Sequence, residues 1–134
     1  MKTAQLHKLF LKCNSVSTDT RNIKKNDMFF ALKGDNFNGN TYAETAISNG
    51  AKYAVVDETA FNTFSETLLV DNVLEALQKL ATFHRNYLEI PIIALTGSNG
   101  KTTTKELINT VLSQKYKTTA TIGNLNNHIG VPLT

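Results

Sequence analysis

The sequence predicts an α/β fold, and three observations carry that reading. Helix-period and strand-like apolar patterns alternate along the chain; turn-rich, often glycine-containing segments follow several of the strand-like runs; and Ile92-Ile93-Ala94-Leu95 is a continuous apolar run with the character of a parallel strand buried on both faces. With 134 residues, 41% hydrophobic and 19% charged, the chain has the composition of a soluble globular protein, which excludes disordered and collagen-like classes.

Leu6, Leu9, Phe10 and Cys13 recur at the spacing of one helical face, so a first helix is expected over about 3–13 with Cys13 as a buried core thiol. Val16–Thr18 and Asp27–Leu32 read as strands, the second closed by the turn-rich loop 34–40, polar and long enough to meet a ligand. Thr41 with Glu44 forms a capping box for a helix over about 41–49, and Gly50 suits its C-terminal cap. Tyr53–Val56 and Leu68–Val70 are short strand-like runs. Asn72 with Glu75 then opens a helix whose apolar stripe is Val73, Leu74, Leu77, Leu80, Ala81 and Tyr87. His84 lies beside that stripe and is given no role. After Pro91 come the strand 92–95, a helix built on Leu107, Ile108, Val111 and Leu112, and a last strand over Tyr116–Ile122. A boundary is expected near Leu88–Pro91. The 44 residues after it hold too few strands for a closed parallel sheet, so the chain reads as the front portion of a longer protein.

Net charge is +3, unevenly spread: residues 1–50 carry +3, 51–90 carry −3 and 91–134 carry +3. The longest basic run is Lys24-Lys25, which argues against a nucleic-acid partner and suits small anionic ligands such as phosphates. One cysteine cannot build a disulfide framework or a cysteine zinc site. His7, Lys8 and Lys12 interrupt any signal-peptide core, and no run approaches a membrane span. A cytoplasmic setting is the default.

The most informative stretch is Thr96-Gly97-Ser98-Asn99-Gly100-Lys101-Thr102-Thr103-Thr104, between the apolar run and the helical pattern. Strand, glycine turn, Gly-Lys-Thr and helix make the setting of a phosphate-binding loop, in which backbone N–H groups and the helix N-terminus face an anion. Lys101 would contact the β- and γ-phosphates and the Thr102 hydroxyl would ligate Mg²⁺. Leu95 stands where a general phosphate loop has its first glycine, so the loop is a variant. The alternative is a plain helix-capping turn with Lys101 exposed. Lys105 and Glu106 read as solvated first-turn charges. The second glycine-rich segment, Gly123–Pro132, is an ordinary turn or a ligand-facing loop.

Together these segments resemble the Mur ligase family. Residues 96–106 are similar to its shortened phosphate loop. Ser17-Thr18-Asp19-Thr20-Arg21 with Asp27–Gly34 is similar to its UDP-sugar signature, and Gly123–Thr134 to the segment after the second strand of its ATPase domain. The resemblance implies a small UDP-sugar-binding α/β domain over 1–88 and an incomplete start of the central ATP-binding domain over 91–134. It implies that Asp19, Thr20 and Arg21 hold the uridine nucleotide, that Gly97, Ser98, Asn99, Gly100, Lys101, Thr102 and Thr103 hold ATP, and that Asn126 and Asn127 line the substrate side.

Within the family, the Asn-Leu-Asn-Asn segment is most like that of members adding D-Ala-D-Ala to UDP-N-acetylmuramoyl tripeptide through an acyl phosphate, using ATP and Mg²⁺. It implies a cytoplasmic enzyme of peptidoglycan synthesis, monomeric at full length, with the present chain alone inactive. A sibling ligase adding another amino acid, or a non-catalytic uridine-nucleotide module, stays open; Ser17–Arg21 argues against a folylpolyglutamate-type synthetase. Asn38-Gly39-Asn40 departs from the Asp-Gly-His that relatives often carry.

Overall fold

The computed structural model describes residues 1–134, and its elements run in chain order α1 (Thr3–Phe10), β1 (Val16–Ser17), β2 (Met28–Phe30), β3 (Lys33–Gly34), β4 (Phe37–Asn38), α2 (Ala43–Ser48), β5 (Tyr53–Val56), β6 (Thr67–Leu69), α3 (Val73–Leu88) and α4 (Lys101–Ser113). The fold class is α/β, as expected. β1, β2, β5 and β6 lie side by side in that order, every pair parallel, with Val16 opposite Met28, Phe29 opposite Ala54 and Val55 opposite Leu68. The chain separates into two compact units, Met1–Tyr87 and Leu88–Thr134.

Strand alternation explains how the first unit closes. Phe29, Ala54 and Val56 share one face and pack with Ala43, Ala46 and Ala51, small residues that let α2 approach the sheet closely. Met28, Phe30 and Val55 take the other face. Leu6 of α1 and Val73, Leu77 and Leu80 of α3 are buried as well, outside the cluster around Phe29. His7 joins those two helices: its Nε2 is 3.1 Å from Nδ1 of His84, with Phe10, Phe83 and Tyr87 around the pair. Asp27, buried just before β2, accepts from the Ser15 hydroxyl at 2.6 Å and from the Lys24 N–H at 2.8 Å, which fixes where that strand begins.

Several elements differ from the sequence reading. The stretch 34–40 is no open loop: β3 and β4 pair as a hairpin about Asp35-Asn36, because a two-residue connection is enough to reverse a strand. Thr41 caps nothing. Its hydroxyl donates to the Asn38 carbonyl at 2.8 Å, while the Asn38 side chain caps a 3-10 turn over Gly39–Tyr42, and α2 starts only at Ala43. α1 ends at Phe10, and Cys13 is half-buried with its thiol donating to the Leu9 carbonyl at 3.4 Å. Tyr87 is exposed, while the rest of the α3 stripe is buried or half-buried.

In the second unit neither Ile92–Leu95 nor Tyr116–Ile122 is a strand. A parallel strand exists through the ladder it makes with a neighbour, and no segment of Leu88–Thr134 supplies one. Ile92, Ile93, Leu107 and Val111 are accordingly exposed. No helix of the chain is long and apolar enough to cross a membrane.

Candidate functional site

Each unit holds one cluster of chemically capable residues. In the first, a cavity of about 510 Å³ is lined by Thr18, Asp19, Thr20, Arg21, Phe29, Phe37 and Tyr42. Thr18 and Asp19 follow β1 directly, so they stand at the carboxyl end of a parallel strand, where an open α/β sheet leaves its ligand crevice. Asp19 caps the 3-10 turn Thr20–Asn22. Its Oδ1 accepts from the Arg21 N–H at 3.0 Å, and the Arg21 guanidinium meets the carboxylate side-on through Nε at 2.9 Å and Nη2 at 2.7 Å. Those side-chain and backbone hydrogen bonds from Arg21 hold the Asp19 carboxyl at a pKa of about 2. Asp19 is thus an anion at every physiological pH, and it orients a guanidinium whose side chain is 86% exposed and whose remaining N–H donors face solvent. The same cavity is lined by two rings, Phe37 from β4 and Tyr42, stacked at 5.4 Å between centroids and 18° between planes.

The aromatic pair is held by a buried polar network. Asn40 is wholly buried; its Nδ2 donates to Asp57 Oδ1 and to Asn38 Oδ1, each at 2.9 Å, and its Oδ1 accepts from the Asp57 N–H at 3.0 Å. Asp57, at the end of β5, also accepts from the Val73 N–H at 3.2 Å and pairs with Lys33 Nζ at 2.9 Å. Burial pushes the Asp57 carboxyl up, but the hydrogen bonds from Lys33, Asn40 and Val73 together outweigh it and leave the group below the ordinary carboxylate range. One carboxylate therefore ties the hairpin, the 3-10 turn, β5 and the start of α3 together. Sequence reasoning held Lys33 and Phe37 only within the longer segments 27–34 and 34–40, and gave no site role to Tyr42 or Asp57. The available signal was an acid directly after the apolar run of β5.

In the second unit, Gly97 and Gly100 hold φ of +142° and +75°, torsions that L side chains rarely adopt, and Gly100 is the N-cap of α4. These torsions turn the 97–100 backbone into the helix start, where unpaired N–H groups and the positive end of the helix dipole suit an anion. Lys101 Nζ donates to the Gly97 carbonyl and lies 3.5 Å from the Ser98 carbonyl, so the ammonium sits over the loop. Ser98, Asn99, Thr102 and Thr103 are exposed along the same turn. Asn126 and Asn127 are also exposed, but Asn127 uses its Oδ1 to accept from the Ile129 and Gly130 N–H groups at 3.1 and 2.7 Å, shaping its own loop. Lys105 differs from its reading as a solvated charge: its ammonium donates to the Thr121 and Gly123 carbonyls and its side chain is 17% exposed.

Two family profiles match the chain. The profile described as Mur ligase family, catalytic domain, matches residues 12–85, and that described as Mur ligase middle domain matches 95–134. The UDP-N-acetylmuramoyl-tripeptide–D-alanyl-D-alanine ligase of Bacillus subtilis is 42% identical over 123 residues, covering 90% of this chain and 27% of the relative; that of Synechocystis is 44% identical over 127 residues, covering 92% and 28%. This chain thus spans a little over a quarter of the length of those relatives. Among solved structures, a crystal structure of MurF from Acinetobacter baumannii superposes with a TM-score of 0.80 at 33% identity over 98% of this chain and 31% of that one. MurF ligase from Thermotoga maritima in complex with ADP gives 0.77 at 30% identity over 92% and 29%. Because the first of those profiles alone matches more than half of the 134 residues, this chain belongs to the Mur ligase family.

Proposed function

We propose that this chain supplies the uridine-nucleotide site and the ATP phosphate loop of a ligase that joins D-Ala-D-Ala to UDP-N-acetylmuramoyl tripeptide in peptidoglycan synthesis. The observation that carries the reading is a phosphate loop with glycine-only torsions, closed by Lys101, in a chain 42% identical to a ligase of that name. The fit of each ligand to the residues supports it. Arg21 offers guanidinium donors to a diphosphate beside the Phe37–Tyr42 stack, whose apolar faces suit a pyrimidine ring, and Thr18 and Thr20 offer hydroxyls. Gly97–Thr103 would hold the ATP phosphates. There Lys101 exchanges its loop carbonyls for phosphate oxygens, and Thr102, exposed on the first turn of α4, would hold Mg²⁺.

ATP would pass its γ-phosphoryl group to the terminal carboxylate of the tripeptide, releasing ADP and leaving an acyl phosphate, which the amine of D-Ala-D-Ala attacks to give an amide as phosphate and a proton depart. When bound, Mg²⁺ supplies charge neutralisation to the phosphoryl group during transfer. The chain's own contribution is positioning. Lys101 offsets charge near the γ-phosphate, and the loop N–H groups orient it. Asn126 and Asn127 stand in this reading on the substrate side, Asn127 through its Nδ2, since its Oδ1 is engaged in the loop.

Calorimetric titration of the chain with UDP-N-acetylmuramoyl tripeptide, UMP and Mg·ATP tests the proposal. Uridine binding that is lost in Arg21→Ala, and ATP binding that is lost in Lys101→Ala, are the expected results. ATP binding with no uridine response would overturn the Asp19–Arg21 assignment. Uridine binding with no ATP response would favour a uridine-nucleotide module.

A further inference from the structure

Lys105 follows Lys101 by one helical turn, so both side chains leave the same face of α4. The two ammonium groups serve different segments. Lys101 reaches the nucleotide loop through the Gly97 carbonyl, and Lys105 reaches the Thr121 carbonyl and, at 2.9 Å, the Gly123 carbonyl. Its third partner is Glu106 Oε1 at 2.7 Å. Two of the ammonium's three donors therefore go to backbone carbonyls, and the Glu106 carboxylate meets its charge as an ion pair. The loop that begins at Gly123 is internally tied: Asn127 Oδ1 accepts from two of its N–H groups, and Gly130 lies so close to Leu125 that an added Cβ would come within 2.6 Å of the Leu125 Cβ. Thr134 Oγ1, at 3.3 Å from Thr121 Oγ1, returns the far end of the segment to the same anchor. A loop so tied moves as one piece, and Lys105 links its base to the helix that opens the nucleotide loop.

We propose that Lys105 is a positioning residue that couples the nucleotide loop to the Asn124–Asn127 loop through the first turns of α4. This rests on the reading of Gly97–Thr103 as the nucleotide loop. When phosphate takes the Lys101 ammonium from the Gly97 carbonyl, the first turn of α4 readjusts, and Lys105 transmits the change to Thr121 and Gly123. The Asn-bearing loop is thereby set only when nucleotide is in place.

The test is backbone NMR of the whole chain titrated with Mg·ADP and Mg·ATP, comparing wild type, Lys105→Met and Lys105→Arg. Nucleotide is expected to shift the amides of 121–130 in the wild type. Lys105→Met should abolish that response while keeping nucleotide affinity within about threefold, well below the tenfold that corresponds to 1.4 kcal/mol. Lys105→Arg, which keeps charge and donors, should restore part of the response. Should the methionine variant lose the dispersed α4 amides, Lys105→Gln, which keeps an N–H donor, is expected to give a graded loss. A loop response unchanged in Lys105→Met overturns the coupling, as does a loss of affinity beyond about tenfold, which would make Lys105 a phosphate ligand. A wild-type chain that takes up no nucleotide overturns the nucleotide-loop reading itself, and the coupling with it.

Discussion

Gly39 stands where two backbone segments touch, and replacing it with alanine is the sharpest test of how the cavity beside Asp19 and Arg21 is built. Its N–H donates to the Leu32 carbonyl at 2.9 Å. A Cβ at that position would lie 2.3 Å from the same oxygen, 2.7 Å from the Ala31 carbonyl carbon and 2.8 Å from the Leu32 nitrogen. All three atoms are backbone, and Ala31 is wholly buried, so no side chain can swing aside. Overpacking of this kind costs about 1–3 kcal/mol, and loss of the hydrogen bond adds about 0.5–1.5 kcal/mol, giving roughly 2–4 kcal/mol for Gly39→Ala. Gly34→Ala is the control, since a Cβ there meets nothing within 4 Å and should change stability by less than about 0.5 kcal/mol. Urea unfolding followed by circular dichroism compares the two variants. Because Gly39 lies between Phe37 and Tyr42, UMP binding should weaken in Gly39→Ala and persist in Gly34→Ala. A Gly39→Ala chain as stable as the Gly34→Ala control would refute the close approach and the account of the cavity that depends on it.

Asn40→Ala removes the shared partner of Asp57 and Asn38, leaving buried acceptors and the Asp57 N–H unsatisfied; a loss of about 2–3 kcal/mol in urea unfolding is expected, and a neutral variant would show that the network carries no weight. Carboxyl NMR should find Asp19 titrating at about 2. In Arg21→Gln the same resonance should move back toward about 3.9, and an unmoved value would dissociate the shift from the guanidinium. Burial, and after it the neighbouring His84, lowers the pKa of His7 below its usual 6.5. The folded state therefore binds this proton less readily than the unfolded one. Its penalty is absent above about pH 6.5 and grows as pH falls from there toward the lowered folded value. His7→Phe should flatten the fall in urea midpoint between pH 7 and 5, and an unchanged slope would place the acid sensitivity elsewhere.

How much of this was legible in the sequence depends on what each signal encodes. Short apolar runs marked β2 and β5, and the i, i+3, i+4 spacing marked α3, because Phe29, Ala54, Val56, Val73, Leu77 and Leu80 belong to a core that the first unit itself completes; α2 was reached through a capping box that the structure does not use. Loop chemistry was harder. Asn38-Gly39-Asn40 is written in turn residues whether the turn is open or clamped, and only Asp57, seventeen residues after Asn40, makes it a clamp. Phe37 and Tyr42 were lost for the same reason: one belongs to a hairpin and the other to a 3-10 turn, and neither period flags two rings that meet across four intervening residues. The Asp19–Arg21 pair, two residues apart, needs no tertiary contact, yet the sequence brought these residues forward only through the resemblance of Ser17–Arg21 to a family signature, and their pairing with each other was not read.

The second unit shows what apolarity alone does not encode. Ile92, Ile93, Leu107 and Val111 have the composition of buried positions, yet they are 53%, 61%, 63% and 69% exposed. An apolar pattern states that a face can be covered; a strand, in contrast, has to be paired to exist at all, because its backbone groups need a ladder. That is why α4, whose hydrogen bonds lie within one segment, forms as expected over Lys101–Ser113 while Ile92–Leu95 does not become a strand. The Gly97–Gly100 turn shares α4's independence. Its geometry comes from two glycine torsions and a helix start, all within five residues, so it can be built without the sheet. Lys105 marks the opposite limit, since the sequence displays a first-turn charge and conceals the two carbonyls, sixteen and eighteen residues on, that occupy it. Local chemistry is therefore legible where its partners are local, and a lysine's role is set by acceptors that no spacing rule supplies.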